Sequence, residues 1–224
     1  MKRLDRADYE RMVAGARVLA ADTYGDKVLE LPDGLMFKLF RRKRRLSSAA
    51  VWPYAKRFER GARKLRERQI PTVEVVGTYR VKSIRRDAVV YRPLEGKPLR
   101  QALRNLNNQK ALITRFAAFF SSLHEGGIYF RATHFGNVVV TPDGEFGLID
   151  VSEVCFSRSA LSLSKRVRNF KVIFRYREDR EAILASGFEL FLDSYLENSS
   201  IPLDDRQSFV RWLWSVLPLD SSQS

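Results

Sequence analysis

Residues 123–151 read LHEGGIYFRATHFGNVVVTPDGEFGLIDV, and two side chains in this stretch decide how the rest of the chain is read. Asn137 closes a polar loop, and Asp150 follows at the end of a short apolar run. Between them, 138–140 and 146–149 have strand character and are joined by the turn Thr141-Pro142-Asp143-Gly144. A hairpin of that length is expected to bring Asn137 and Asp150 to the same end. There an amide and a carboxylate can share one divalent metal ion.

Outward from this segment, composition narrows the possibilities. A chain of 224 residues with 45% hydrophobic and 12% aromatic content can bury a real core, as one large domain or two small lobes. The formal charge is +14, from 40 basic and 26 acidic residues. The excess is local: between Met36 and Ile70 stand thirteen Lys or Arg against only Glu59 and Glu67. Such a surplus concentrates anionic partners, whether nucleic acid, a phosphorylated sugar or an acidic membrane face; a merely solvated basic face is the alternative. Cys155 is the single cysteine, so no intrachain disulfide or thiolate cluster can form, and it reads as a small buried residue. His124 and His134 are too few for most zinc sites. The charged start MKRLDRADYERMVAG does not resemble a secretion signal, and no apolar run is long enough to span a bilayer. A cytoplasmic protein is expected.

The order of elements carries more weight than any single motif. A weak helical pattern covers 4–15. Strand-like runs at 16–20, 27–31 and 35–40 follow, the last two flanking the turn Pro32-Asp33-Gly34. In the second of these hairpin strands Met36, Lys38 and Phe40 share one face, Phe37 and Leu39 the other. A Lys among large apolar residues should have a partner, because an unpaired buried ammonium is costly. Arg41-Arg42-Lys43-Arg44-Arg45 makes a charged loop, and Ser47 or Ser48 can cap a helix running to about Gln69 with Pro53 in its first turn. Trp52, Ala55, Phe58, Ala62 and Leu65 form its apolar stripe. Strands are expected at 72–76, 77–81 and 88–91. Residues 93–96 form a linker, and beyond them the chain is mainly helical. Helical patterns cover 98–106, 109–125 (stopped by Gly126-Gly127), 161–176, 178–197 and 204–216, and residues 220–224 form a frayed tail.

This order resembles the protein-kinase-like fold over nearly the whole chain. More narrowly it resembles the lipopolysaccharide kinase family, which phosphorylates heptose or Kdo sugars of the inner core and includes toluene tolerance proteins. The residues carrying the resemblance are KVLELPDGLMFKLFRRKR at 27–44, IPTVEVVG at 70–77, LHEGGIYFRATHFGNVVV at 123–140 and GLID at 147–150. It implies an α+β, bilobal fold: a small β-rich N-lobe with one long helix (1–92), a hinge (93–96) and a mainly helical C-lobe (97–219). It further implies that Lys38 neutralises the ATP phosphates, with Glu59 or Glu67 as its carboxylate partner. Tyr91, Arg92 and Leu94 would form the adenine hinge, and Asn137 and Asp150 would hold Mg²⁺.

Three departures qualify this picture. The turn Asp22-Thr23-Tyr24-Gly25 offers one glycine where a glycine-rich phosphate loop would stand. Phe130-Arg131-Ala132 replaces His-Arg-Asp, so Ala132 occupies the position of the usual base. Val151-Ser152 follows the metal-binding Asp in place of Phe-Gly. Phosphoryl transfer rests mainly on positioning and charge, with general-base help contributing roughly 10²–10⁴-fold. His134 could orient a sugar hydroxyl, or simply hydrogen-bond its own loop, while Arg131 could hold a phosphate. The expectation is an ATP- and Mg²⁺-dependent kinase of a lipopolysaccharide-core sugar or other anionic saccharide. Peripheral contact with the anionic inner face of the inner membrane is expected with it. The alternative is a pseudokinase that binds nucleotide or an anionic partner without turnover. A nucleic-acid binder ranks last, because no recognised motif appears and the aromatics follow helical stripes.

Overall fold

The computed structural model describes residues 1–41 and 52–218. The basic loop beyond Arg41, the expected capping residues Ser47 and Ser48, and the tail 220–224 lie outside the described residues. The fold is α+β, and its chain divides into two compact units. The first comprises Met1–Glu95 and Gly147–Glu153, the second Gly96–Phe146 and the chain from Val154 onward.

The first unit is built on a six-stranded sheet. It contains β1 (Lys2–Leu4), β2 (Arg17–Asp22), β3 (Gly25–Glu30), β4 (Met36–Arg41), β5 (Glu74–Val81) and β6 (Arg86–Arg92), in the order β1-β5-β6-β4-β3-β2. All neighbours are antiparallel except β1, which runs parallel to β5. Alternation along β4 is as expected. Phe37 and Leu39 are buried with Leu29, Ala88 and Val90, while Lys38 and Phe40 lie on the other face and are half-buried. A short helix α1 (Arg6–Met12) precedes β2, capped by Asp5, whose carboxylate accepts from Asp8 N at 2.8 Å. The long helix α2 (Tyr54–Arg66) buries Ala55, Phe58, Gly61, Ala62 and Leu65 beneath a basic outer face.

Three sequence expectations change here. The helical pattern at 4–15 is shorter, because Asp5 caps it and Lys2–Leu4 extends alongside β5. Pro53 is the N-cap of α2, so Trp52 falls outside the apolar stripe and is exposed. The strands expected at 72–76 and 77–81 are one strand, β5, with a bulge between Val75 and Gly77.

The second unit is mainly helical. It holds β7 (Lys97–Pro98), α3 (Leu99–Ala102), α4 (Gln109–Glu125), β8 (Ile128–Phe130) and β9 (Val138–Val140). After β10 (Phe146–Leu148) and a 3₁₀ turn at Val151–Glu153 come β11 (Val154–Phe156), α5 (Leu163–Arg175), α6 (Arg177–Ser186), α7 (Phe188–Glu197) and α8 (Leu203–Val216). β7 pairs antiparallel with β9, and β8 with β11. The core gathers around α4, where Phe116 stacks on Phe120 and meets Phe135 edge-on. The single helix expected at 178–197 is two, because Gly187 adopts φ 99° and ends α6. Cys155 is exposed, not buried: on the short strand β11 its neighbour Val154 takes the inward position. No helix among the described residues is long and apolar enough to cross a membrane.

Candidate functional site

Asp150 reaches its place because residues 147–153 are fastened within the first unit at three points. Leu148 N donates to Pro71 O at 2.9 Å, and Thr72 Oγ1 donates to Leu148 O at 2.6 Å. Gly147 lies so close to Leu94 and Pro71 that a Cβ there would stand 2.7 Å from Pro71 O. On the far side α2 packs on the backbone of Val151 at Gly61, where any Cβ would overlap Val151 O. A glycine inside a helix costs about 1 kcal/mol relative to alanine, and this close approach accounts for it. Between these anchors Asp150 adopts φ 56°, a left-handed conformation uncommon outside glycine.

Its carboxylate Oδ1 meets Lys38 Nζ at 2.6 Å. The Lys38 side chain is 13% exposed and that of Asp150 41%. The ammonium therefore has the partner its surroundings require, and Phe40 and Phe58 flank it at 5.7 and 5.8 Å. A pair this open stabilises the fold by at most about 1 kcal/mol, so its value must be sought elsewhere. Tyr91 packs on Phe58 at 5.1 Å, and burial, reinforced by the Asp150 charge, raises its phenol to about 12.

A cavity of about 340 Å³ opens beside the pair. Among the described residues, four cations (Lys27, Lys38, Arg41 and Arg86) and two carboxylates (Asp22 and Asp150) line it. The set suits a polyphosphate with its metal. Lys38 has further N–H groups to donate, and Asp150 Oδ2 remains as a hard oxygen ligand. Among the described residues no three His, Cys, Asp or Glu side chains gather as a metal site.

The other expected site residues separate into two groups. Glu59 does not meet Lys38: its Oε2 takes Lys56 Nζ at 2.7 Å, and Glu67 takes Arg63 at 2.6 Å. The sequence pattern gives the apolar face of the helix but not which carboxylate it sets beside β4. Arg92 is exposed and pairs with Glu74 at 3.3 Å, while Leu94 is half-buried against Gly147. In the second unit Arg131 is exposed and Asn137 Nδ2 donates to Ala132 O at 3.0 Å. His134 Nδ1 accepts from Gly136 N at 3.1 Å, and its ring lies on Tyr176 at 4.5 Å.

The 131–137 loop is held by residues that the motifs did not single out. Asp179, fully buried, accepts from Phe135 N and from Arg100 Nε, both at 2.7 Å. Beneath, Asn169 Nδ2 donates to Phe130 O at 2.7 Å while its Oδ1 faces His124 Nε2 at 3.1 Å. His124 Nδ1 meets Tyr195 OH at 2.7 Å, and Arg166 reaches Tyr195 OH at 3.1 Å and Glu125 at 2.8 Å. Burial drives the His124 pKa down to about 3 and raises that of Tyr195.

No protein-family model matches this chain, and no curated protein does. Solved structures do, 1585 chains in all. Among them is a Toxoplasma protein, a divergent kinase lacking the glycine-rich loop that regulates membrane ultrastructure of the parasitophorous vacuole. The match covers 97% of this chain and 80% of that one, at 13% identity and a TM-score of 0.46.

Proposed function

We propose that this protein binds Mg²⁺-ATP and is a kinase-like phosphotransferase of the lipopolysaccharide inner core, with a heptose or Kdo hydroxyl as acceptor. The observation that carries the nucleotide part is the Lys38–Asp150 pair, an ammonium and an acid from distant parts of the chain meeting at 2.6 Å beside a charged cavity. An ammonium neutralises phosphate oxygens, and a carboxylate beside it holds the metal that bridges them. The element order supports the same reading. It runs from strand Lys38 through the basic helix, sheet, long helix and polar loop to β10 and Asp150 just beyond it. The saccharide acceptor rests on the sequence resemblance alone, and so does any contact with an anionic membrane face.

A pseudokinase is the second reading, and Ala132 favours it. Alanine can neither accept a proton nor orient a hydroxyl, and His134 Nδ1 is already engaged with Gly136 N. Thermal unfolding with and without Mg²⁺-ATP tests nucleotide binding. At a ligand concentration near one hundred times Kd, wild type should gain about 2.7 kcal/mol, and Lys38→Ala or Asp150→Ala should abolish the gain. Stabilisation that survives both substitutions would remove the proposed site. Phosphate transfer to inner-core saccharide above an Asp150→Ala background selects the enzyme, and binding without transfer selects the pseudokinase.

A further inference from the structure

The turn between β2 and β3 cannot grip phosphates as a glycine-rich loop does. Arg86 holds it from β6, its guanidinium donating to Asp26 O at 2.8 Å and also to Tyr24 O. Arg41 lies over the Tyr24 ring at 3.4 Å from its centroid. The Tyr24 N–H is already donated to Asp22 Oδ1 at 2.8 Å. In this turn, clasped by two guanidinium groups, the Tyr24 amide is engaged and is not offered to an anion.

The β2–β3 register shows what stands in its place. Pairing shifts twice, from Val18↔Leu29 to Ala20↔Val28 and back to Ala21↔Asp26, so Leu19 bulges from β2 and Lys27 from β3. Regular alternation would set Lys27 on the face of Leu29 and Phe37, away from Lys38, which shares its face with Val28. A bulge re-aims a side chain, and Lys27 lines the same cavity as Lys38 and Asp150. Lys27 is exposed and makes no ion pair among the described residues.

We propose that Lys27 is a phosphate-binding residue. Turned by the bulge, it supplies a side-chain cation to the outer phosphates of the bound nucleotide, replacing the backbone amides that the clasped turn withholds. This rests on the nucleotide reading of the Lys38 cavity and adds to it the group that recognises a polyphosphate. Calorimetric titration of adenosine, AMP, ADP, ATP and inorganic tripolyphosphate, each with Mg²⁺, tests it on wild type, Lys27→Ala, Lys27→Arg and Lys38→Ala. Loss of Lys27 should weaken ATP, ADP and tripolyphosphate by about tenfold, as expected for one charge-assisted contact. Adenosine and AMP should stay within about twofold, and Lys27→Arg should restore binding. Unchanged ATP and tripolyphosphate affinity in Lys27→Ala, with binding lost in Lys38→Ala, would overturn this proposal and leave the nucleotide site standing. Tripolyphosphate binding that needs Lys27, with no affinity for adenosine, AMP or ATP beyond it, would keep the anion site and discard the nucleotide. No binding of any probe by wild type would discard both.

Discussion

In the first unit Lys38 and Asp150 meet at the edge of a cavity, with 41% of the Asp150 side chain open to solvent. In the second, His124, Asn169 and Asp179 are sealed in the core, and their polar atoms bond to fixed partners. A buried hydrogen-bonded network at low dielectric makes a loop rigid, even with Arg100 Nη2 left without a partner, whereas an open ion pair contributes little to stability. Cohesion is therefore assigned to the second unit's polar groups, and under the proposed nucleotide reading ligand exchange falls to the first unit's. The Lys38–Asp150 contact costs little to separate, which is what the proposed entry of a phosphate and its metal between the two requires.

Substitutions can break or sharpen this contrast. The largest loss should follow Asp179→Ala, which strands the buried Phe135 N and leaves the Arg100 guanidinium to the exposed Glu178 at 3.2 Å. About 3–5 kcal/mol of unfolding free energy should disappear, measured by urea denaturation, and a loss below 1 kcal/mol would mean the loop is not held there. Next comes Gly61→Ala. Its methyl must displace the Val151 backbone, costing about 1–3 kcal/mol and abolishing ATP-dependent stabilisation as Asp150 moves with Val151; unchanged ATP stabilisation would dissociate the two. The smallest effect is a slope. Unfolded His124 takes up its proton below about pH 6.5, the folded residue only near pH 3. The unfolded state thus binds more protons between those values, and stability falls as pH drops through them. The His124 share is at most about 1.4 kcal/mol per pH unit. Denaturation at pH 7 and pH 5 should show a shallower decline for His124→Gln than for wild type, and parallel declines would refute the buried neutral histidine.

The parts of this picture readable beforehand share one property: they depend on spacing along a single element. The apolar stripe of α2 from Ala55 to Leu65, the alternation that sets Phe37 against Lys38, and the return of the chain through Thr141–Gly144 are of this kind. Lys38 and Asp150 were singled out, each from its own local pattern. What the sequence hid depends on contacts between distant segments. Asp179 sits in the run Arg-Glu-Asp-Arg-Glu and looks solvated, yet its partners lie 44 and 79 residues away. His124 looked idle because Asn169 and Tyr195 are 45 and 71 residues distant. Glu59 failed as the partner of Lys38 because a helical pattern gives a face but not a registration against a sheet. Lys27 could be suspected only from the bulge, which appears when two strands are paired.

Residues 147–153 lie in the middle of the stretch that builds the second unit, yet they complete the first. During synthesis the N-terminal sheet must therefore wait, with Pro71 O, the Thr72 hydroxyl and the Gly61 surface of α2 unmatched, until Glu153 has left the ribosome. Expressing the first ninety-five residues alone would yield a piece lacking its own acid and one flank of its core. The ammonium of Lys38 cannot find its counterion until most of the polypeptide has been made.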